Sequence, residues 1–206
     1  MVVGDCKRLC NFDGLKYSPL KRLISIIITL FGLSILSGAQ NCVVKTNALY
    51  WATTTPNLGV EFSVAPRWTV GVQGGYNPWT LDNETNAKLK HFLVSPEVRY
   101  WFCESFLGHF VGLDVNYTMF NVGAIPFIPQ LKDTRVEGWA AGAGLVYGCS
   151  WPIARRWNIE ANIGAGLWYS EYDRYESRKC GLFNDSVSRL SFGLTSLGFS
   201  FVYIIK

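Results

Sequence analysis

From residue 43 to the end of the chain, apolar and polar residues alternate with a period of two, and no convincing helical stretch interrupts them. The pattern predicts eight strands, at 43–54, 57–65, 67–76, 91–102, 106–118, 134–148, 157–169 and 188–205. After a brief first turn at 55–57, the connections alternate in length. Residues 65–67, 103–105 and 149–156 are short, whereas 77–90, 119–133 and 170–187 are long and mostly polar. Tight turns alternating with long loops predict an all-β fold, an eight-stranded antiparallel transmembrane β-barrel of the outer-membrane type. Its short turns would be periplasmic and its long loops outside.

The composition of the two faces supports that reading. Asn158, Glu160, Asn162, Gly164 and Gly166 alternate with Trp157, Ile159, Ala161, Ile163, Ala165 and Leu167. A soluble lipocalin-like barrel would carry bulky polar residues on its outer face. Here the polar face is rich in Gly, Ser and Asn, which suits the crowded lumen of eight strands. Aromatic residues gather near strand ends. Trp68, Trp101, Phe102, Trp151 and Trp157 mark the short-turn end, and Tyr76, Trp79, Tyr117, Trp168 and Tyr169 the long-loop end. Two aromatic girdles are expected of a membrane barrel, and a soluble β-sandwich is the alternative.

Inside this apolar pattern stand charges. Lys45, Glu61, Glu97, Arg99, Asp114 and Glu160 all fall on the inward face. Charges in a narrow, largely dry interior must pair, so the six residues are expected to form a structural ion-pair network that plugs the lumen. Eight strands leave no open pore. Pro96 lies in the same strand as Glu97 and Arg99 and cannot donate to a ladder. A bulge or a missing hydrogen bond is expected there.

Residues 1–39 read as a signal peptide with a polar lead-in. Lys21 and Arg22 precede an apolar run of about 14 residues, and Ser37-Gly38-Ala39 follows it. That run is short for a membrane span, although an uncleaved anchor is the alternative. Cleavage after Ala39 would leave 40–206 as the barrel domain. The net charge is +4. Five basic and two acidic residues of the first 39 account for +3, so the mature chain is close to neutral and no nucleic-acid partner is expected.

The stretch VKTNALYWATTTPNLGVEFSVAPRWTV, residues 44–70, resembles the opening of an uncharacterised Bacteroidetes-type family of small outer-membrane barrel proteins. Lys45-Thr46-Asn47, Thr55 to Glu61 and Arg67-Trp68 carry the likeness, and the later PEVRYWF fits it. The resemblance implies an outer-membrane location and genes near those of fimbrial or other surface proteins. It implies no catalytic residue.

Candidate chemistry is sparse. His91 sits at the outer rim and could serve a lipid A-modifying enzyme, but no nucleophile signature accompanies it. His109 lies at the short-turn end. Gly142-Ala-Gly144 and Gly164-Ala-Gly166 lie within strands, where lumen packing explains them. No cofactor or metal ligand set is apparent. Cys42, Cys103 and Cys149 fall at the short-turn end, the last two on turns, with no bridge expected between Cys103 and Cys149; Cys180 stands alone in the last loop. The expected role is therefore non-enzymatic, structural or surface-binding through the outer loops. Its partners would be outer-membrane lipid, lipopolysaccharide and a surface or fimbrial protein. A soluble periplasmic barrel with a small ligand is a further alternative.

Overall fold

In the computed structural model, which describes residues 42–82, 87–123, 134–176 and 182–205, the alternation becomes nine strands and one short helix. They are β1 (Cys42–Asn47), α1 (Ala48–Ala52), β2 (Asn57–Ala65), β3 (Trp68–Asn77), β4 (Thr80–Asp82), β5 (Ala87–Trp101), β6 (Gly108–Gly123), β7 (Thr134–Ala154), β8 (Trp157–Glu176) and β9 (Phe183–Ile204). The expected signal peptide with its expected cleavage point, and Cys180, lie outside the described residues. Every pairing is antiparallel, and β3 pairs with β5, so all strands except β4 close one hydrogen-bonded ring.

One row of paired residues shows how the ring closes. Ile204 pairs with Val43, and the row continues through Glu61, Gly71, Glu97, Asp114, Gly144 and Gly166 to Gly193, back on β9. The return falls eleven residues from the start. One of the eleven, Thr195, is bulged out, because Gly164 pairs with Ser196 while Ala165 pairs with Leu194. The other ten steps of about 3.3 Å climb about 33 Å over a perimeter of eight spacings of about 4.8 Å, a strand tilt of about 40°. Side chains alternate with period two, so an odd offset would join the inner face of β9 to its own outer face. The bulge restores an even one.

The two faces separate as the alternation requires. On β8, Asn158, Glu160, Gly164 and Gly166 are buried inside, while Trp157, Ile163, Ala165 and Leu167 are exposed outside. At Gly166 any Cβ would collide with the backbone of Ala143 and Gly144, so β7 and β8 approach this closely only through paired glycines. At the short-turn end Val43, Trp101, Phe106, Phe110, Val146 and Val202 form an apolar cluster. Phe106 joins it from the β5–β6 connection with φ 70°, and Asn158 Nδ2 holds its carbonyl at 2.7 Å.

Several expectations need correction. The first strand does not run to residue 54. It ends at Asn47, whose side chain accepts from Leu49 N at 3.0 Å and caps α1, so a helix and turn replace the expected short hairpin. The segment 170–187 is mostly strand, since β8 runs to Glu176 and β9 starts at Phe183. Trp101 is not part of a girdle: it shares the inward face with Arg99 and is fully buried. Trp168 also follows the inner alternation, donating from Nε1 to Leu194 O at 2.9 Å. Cys149 lies within β7 rather than on a turn. At Pro96 the β3 ladder continues unbroken through Val72. On the other side, Ser95 and Pro96 have no pairs on β6, although Val94–Tyr117 and Glu97–Asp114 keep one register. The proline therefore leaves a gap in the ladder, the second of the two expected outcomes, and no bulge.

Candidate functional site

Five of the six expected charges meet inside the ring, towards its short-turn end. Period-two alternation delivers them from five sites on four strands: Lys45 on β1, Glu61 on β2, Glu97 and Arg99 on β5, and Glu160 on β8. Lys45 Nζ donates to Glu61 Oε2 at 3.0 Å and also to Glu97 Oε1. Arg99 reaches three carboxylates: Nη1 lies 2.8 Å from Glu160 Oε2 and 3.2 Å from Glu61 Oε2, and Nη2 lies 2.9 Å from Glu97 Oε2. Its guanidinium also stands 4.2 Å over the Phe110 ring, which seats the network on the apolar cluster.

Neutral donors complete the shell. Thr69 Oγ1 donates to Glu61 Oε1 and itself accepts from Trp101 Nε1 at 2.9 Å. Asn162 Nδ2 donates to Glu160 Oε1 at 3.2 Å, and Ser196 Oγ donates to Asn162 Oδ1 at 2.9 Å. Every carboxylate oxygen of Glu61, Glu97 and Glu160 thereby has a donor, the condition under which a buried ion cluster is tolerable.

Asp114 departs from the expectation. It is buried inside the ring, but no ion pair reaches it among the described residues. Asn116 Nδ2 donates to its Oδ2 at 2.8 Å, and its Oδ1 has no partner. The physical reason lies in the register. Asp114 sits directly across from Glu97, whose two oxygens already occupy both cations. Thr69, Trp101, Asn162 and Ser196 were missed as partners, though each lies on the inward alternation of its strand.

At the loop end, Tyr50 of α1 reaches inward. Burial, together with the negative charges of Asp114 and Glu97, raises its hydroxyl pKa above the ordinary tyrosine value. A family model described as protein of unknown function (DUF3575) matches residues 25–205. The chain belongs to that family. No curated protein matches it. All six charged positions of this DUF3575 chain lie within the matched span.

The remaining candidates are dispersed. His91 of the DUF3575 chain is half-buried on the inward alternation of β5. Its Nε2 is 3.4 Å from Thr55 Oγ1 and its Nδ1 3.2 Å from Leu89 O. A lipid-facing catalytic histidine would need the opposite face. His109 faces outward, with Nδ1 2.8 Å from the Tyr147 hydroxyl. Cys42, Cys103 and Cys149 are free thiols. Within the segment 170–187, Ser186 Oγ of β9 donates to Asp173 Oδ1 of β8, and Arg174 lies 3.8 Å from Asp185.

Proposed function

We propose that this DUF3575 chain is a non-enzymatic outer-membrane β-barrel. On this reading an ion-pair network locks its interior, and its outer loops anchor or bind a partner at the cell surface. One observation carries the reading: the ring is inverted relative to a water-soluble fold. Leu113, Leu145 and Leu167 stand 55–70% exposed on the outside, while Lys45, Glu61, Arg99 and Glu160 are at most 2% exposed within. Water would favour the reverse, whereas hydrocarbon covers an apolar exterior and is incompatible with bare charges. Tilt and strand number suit the same environment.

In this account residues 1–39 direct export and are removed, lipid and lipopolysaccharide contact the exterior, and a surface or fimbrial protein engages the loops. The chain would come from a Gram-negative, Bacteroidetes-type cell. Envelope fractionation tests it. The protein is expected to sediment with the outer membrane and to migrate faster on SDS gels before boiling than after. Recovery in the soluble periplasm would sink the proposal. Exchanging residues 177–181 for a glycine-serine tip is expected to abolish partner capture while leaving that heat-dependent mobility intact.

A further inference from the structure

The outer face of the ring changes character abruptly near its long-loop end. Phe92, Met119 and Trp139 form one cross-strand row, since Met119 pairs with both of the others. One step of the outward alternation further on, Lys90, Asn121 and Glu137 form the next row, joined through Asn121 in the same way. Two residues along a strand span about 6.6 Å, so an apolar row gives way to a polar one within the depth of a lipid headgroup. Tyr76, at the end of β3, and Pro78 just beyond it form the remaining wall. The residues enclose a groove of about 580 Å³, within the range of small-molecule sites.

Two groups of the polar row lack partners. Among the described residues no carboxylate pairs with Lys90, whereas Glu137 is held by Arg135 at 3.6 Å. Glu171 and Asp173 stand on β8, outside the lining. Asn121 Oδ1 is shut off from water and accepts no hydrogen bond. The groove therefore offers a cation, an acceptor that needs a donor, and an apolar floor that continues towards the waist of the barrel. A bare anion would satisfy Lys90 and leave the other two features unused. A phosphate carried on a sugar supplies both the anion and a hydroxyl donor, and acyl chains on that sugar cover Phe92 and Met119. We infer that this groove binds the phosphorylated sugar headgroup of an outer-leaflet glycolipid, with Lys90 on the phosphate and Asn121 Oδ1 on a sugar hydroxyl. This assignment takes the ring to span the outer membrane, as proposed above, and narrows general contact with lipopolysaccharide to a defined site.

Lipid titration tests this. The full chain is extracted from native envelopes in mild detergent and titrated with diphosphorylated lipid A, and the adduct is followed by native mass spectrometry. Wild type is expected to hold lipid A tightly. Lys90→Gln should weaken the adduct by about tenfold, the scale of one charge-assisted hydrogen bond. Lys90→Arg should retain it, and lipid A stripped of its phosphates should bind wild type as weakly as lipid A binds Lys90→Gln. Phe92→Ala should also weaken it. Arg67→Gln, which removes an exposed cation at the short-turn end, should leave it unchanged. Undiminished binding to Lys90→Gln, equal weakening by Arg67→Gln, equal binding of phosphatidylglycerol, or equally tight binding of free glucosamine phosphate would each overturn the inference. Heat-dependent mobility, read on every variant, reports the barrel separately. Its absence in wild type would count against the membrane reading, whereas intact mobility with binding indifferent to Lys90 would overturn this site alone.

Discussion

Replacing Arg99 by methionine tests whether charge compensation holds the interior together. Methionine keeps roughly the length of the side chain and removes the cation. Glu61 and Glu97 then share Lys45 as their one cation, and Glu160 keeps only Asn162. Removing one member of a buried ion cluster costs about 3–5 kcal/mol, because the desolvated partners are left uncompensated. Loss of the contact with Phe110 adds about 0.5–2 kcal/mol. At about 1.4 kcal/mol per decade, the folded-to-unfolded ratio should fall at least about a hundredfold. The measurement is urea unfolding in lipid vesicles, followed by tryptophan fluorescence and by gel mobility without boiling. Adding Glu97→Gln and Glu160→Gln to Arg99→Met should recover more than half of the loss. A cost below about 1 kcal/mol, or no recovery from the two carboxamides, would refute the reasoning, since neither fits a network held by charge.

Asp114→Asn should behave oppositely to Arg99→Met. With no cation to lose and Glu97 directly across from it, its stability change in the same urea assay should lie within about 1 kcal/mol of zero or be favourable. Deleting Thr195 should leave the ring closed, because the offset from Ile204 back to Gly193 becomes an even ten without a bulge; retained heat-dependent mobility and resistance of β9 to added protease would register it, and loss of either would contradict the register. Tyr50 ionises above the ordinary range, so stability is unaffected by this group below about pH 10 and falls as the pH rises through the tyrosine range into its own titration. A thermal-melting series should show that alkaline decline reduced in Tyr50→Phe.

The strands and their faces were legible because period-two alternation is a local property. Once the ring closes, inward residues such as Lys45 and Glu160 must meet. Trp101 and Thr69 were equally legible by parity, but aromatic residues at strand ends also suit a lipid interface, so Trp101 carried two readings. The break in alternation at Leu194-Thr195-Ser196-Leu197 is visible as an extra residue between apolar positions. Its meaning depends on the ten-step offset, which arises only from the register of all eight strands. The helix at Ala48–Ala52 was obscured by β-branched residues on both sides and by Tyr50 and Trp51 within it. Asp114 was placed correctly but given a partner it lacks, because sequence shows which face a charge occupies and not which cations its neighbours have already taken.

The most direct test of the inverted ring is a cysteine scan along β8 from Ile159 to Leu167 in native envelopes, in a background where the natural cysteines are serine. Each position carries a fluorophore quenched by nitroxide on lipid tails. Positions 159, 161, 163, 165 and 167 should be strongly quenched and 160, 162, 164 and 166 weakly, a period of two in phase with burial. Quenching absent throughout, or strongest at the even positions, would contradict the account.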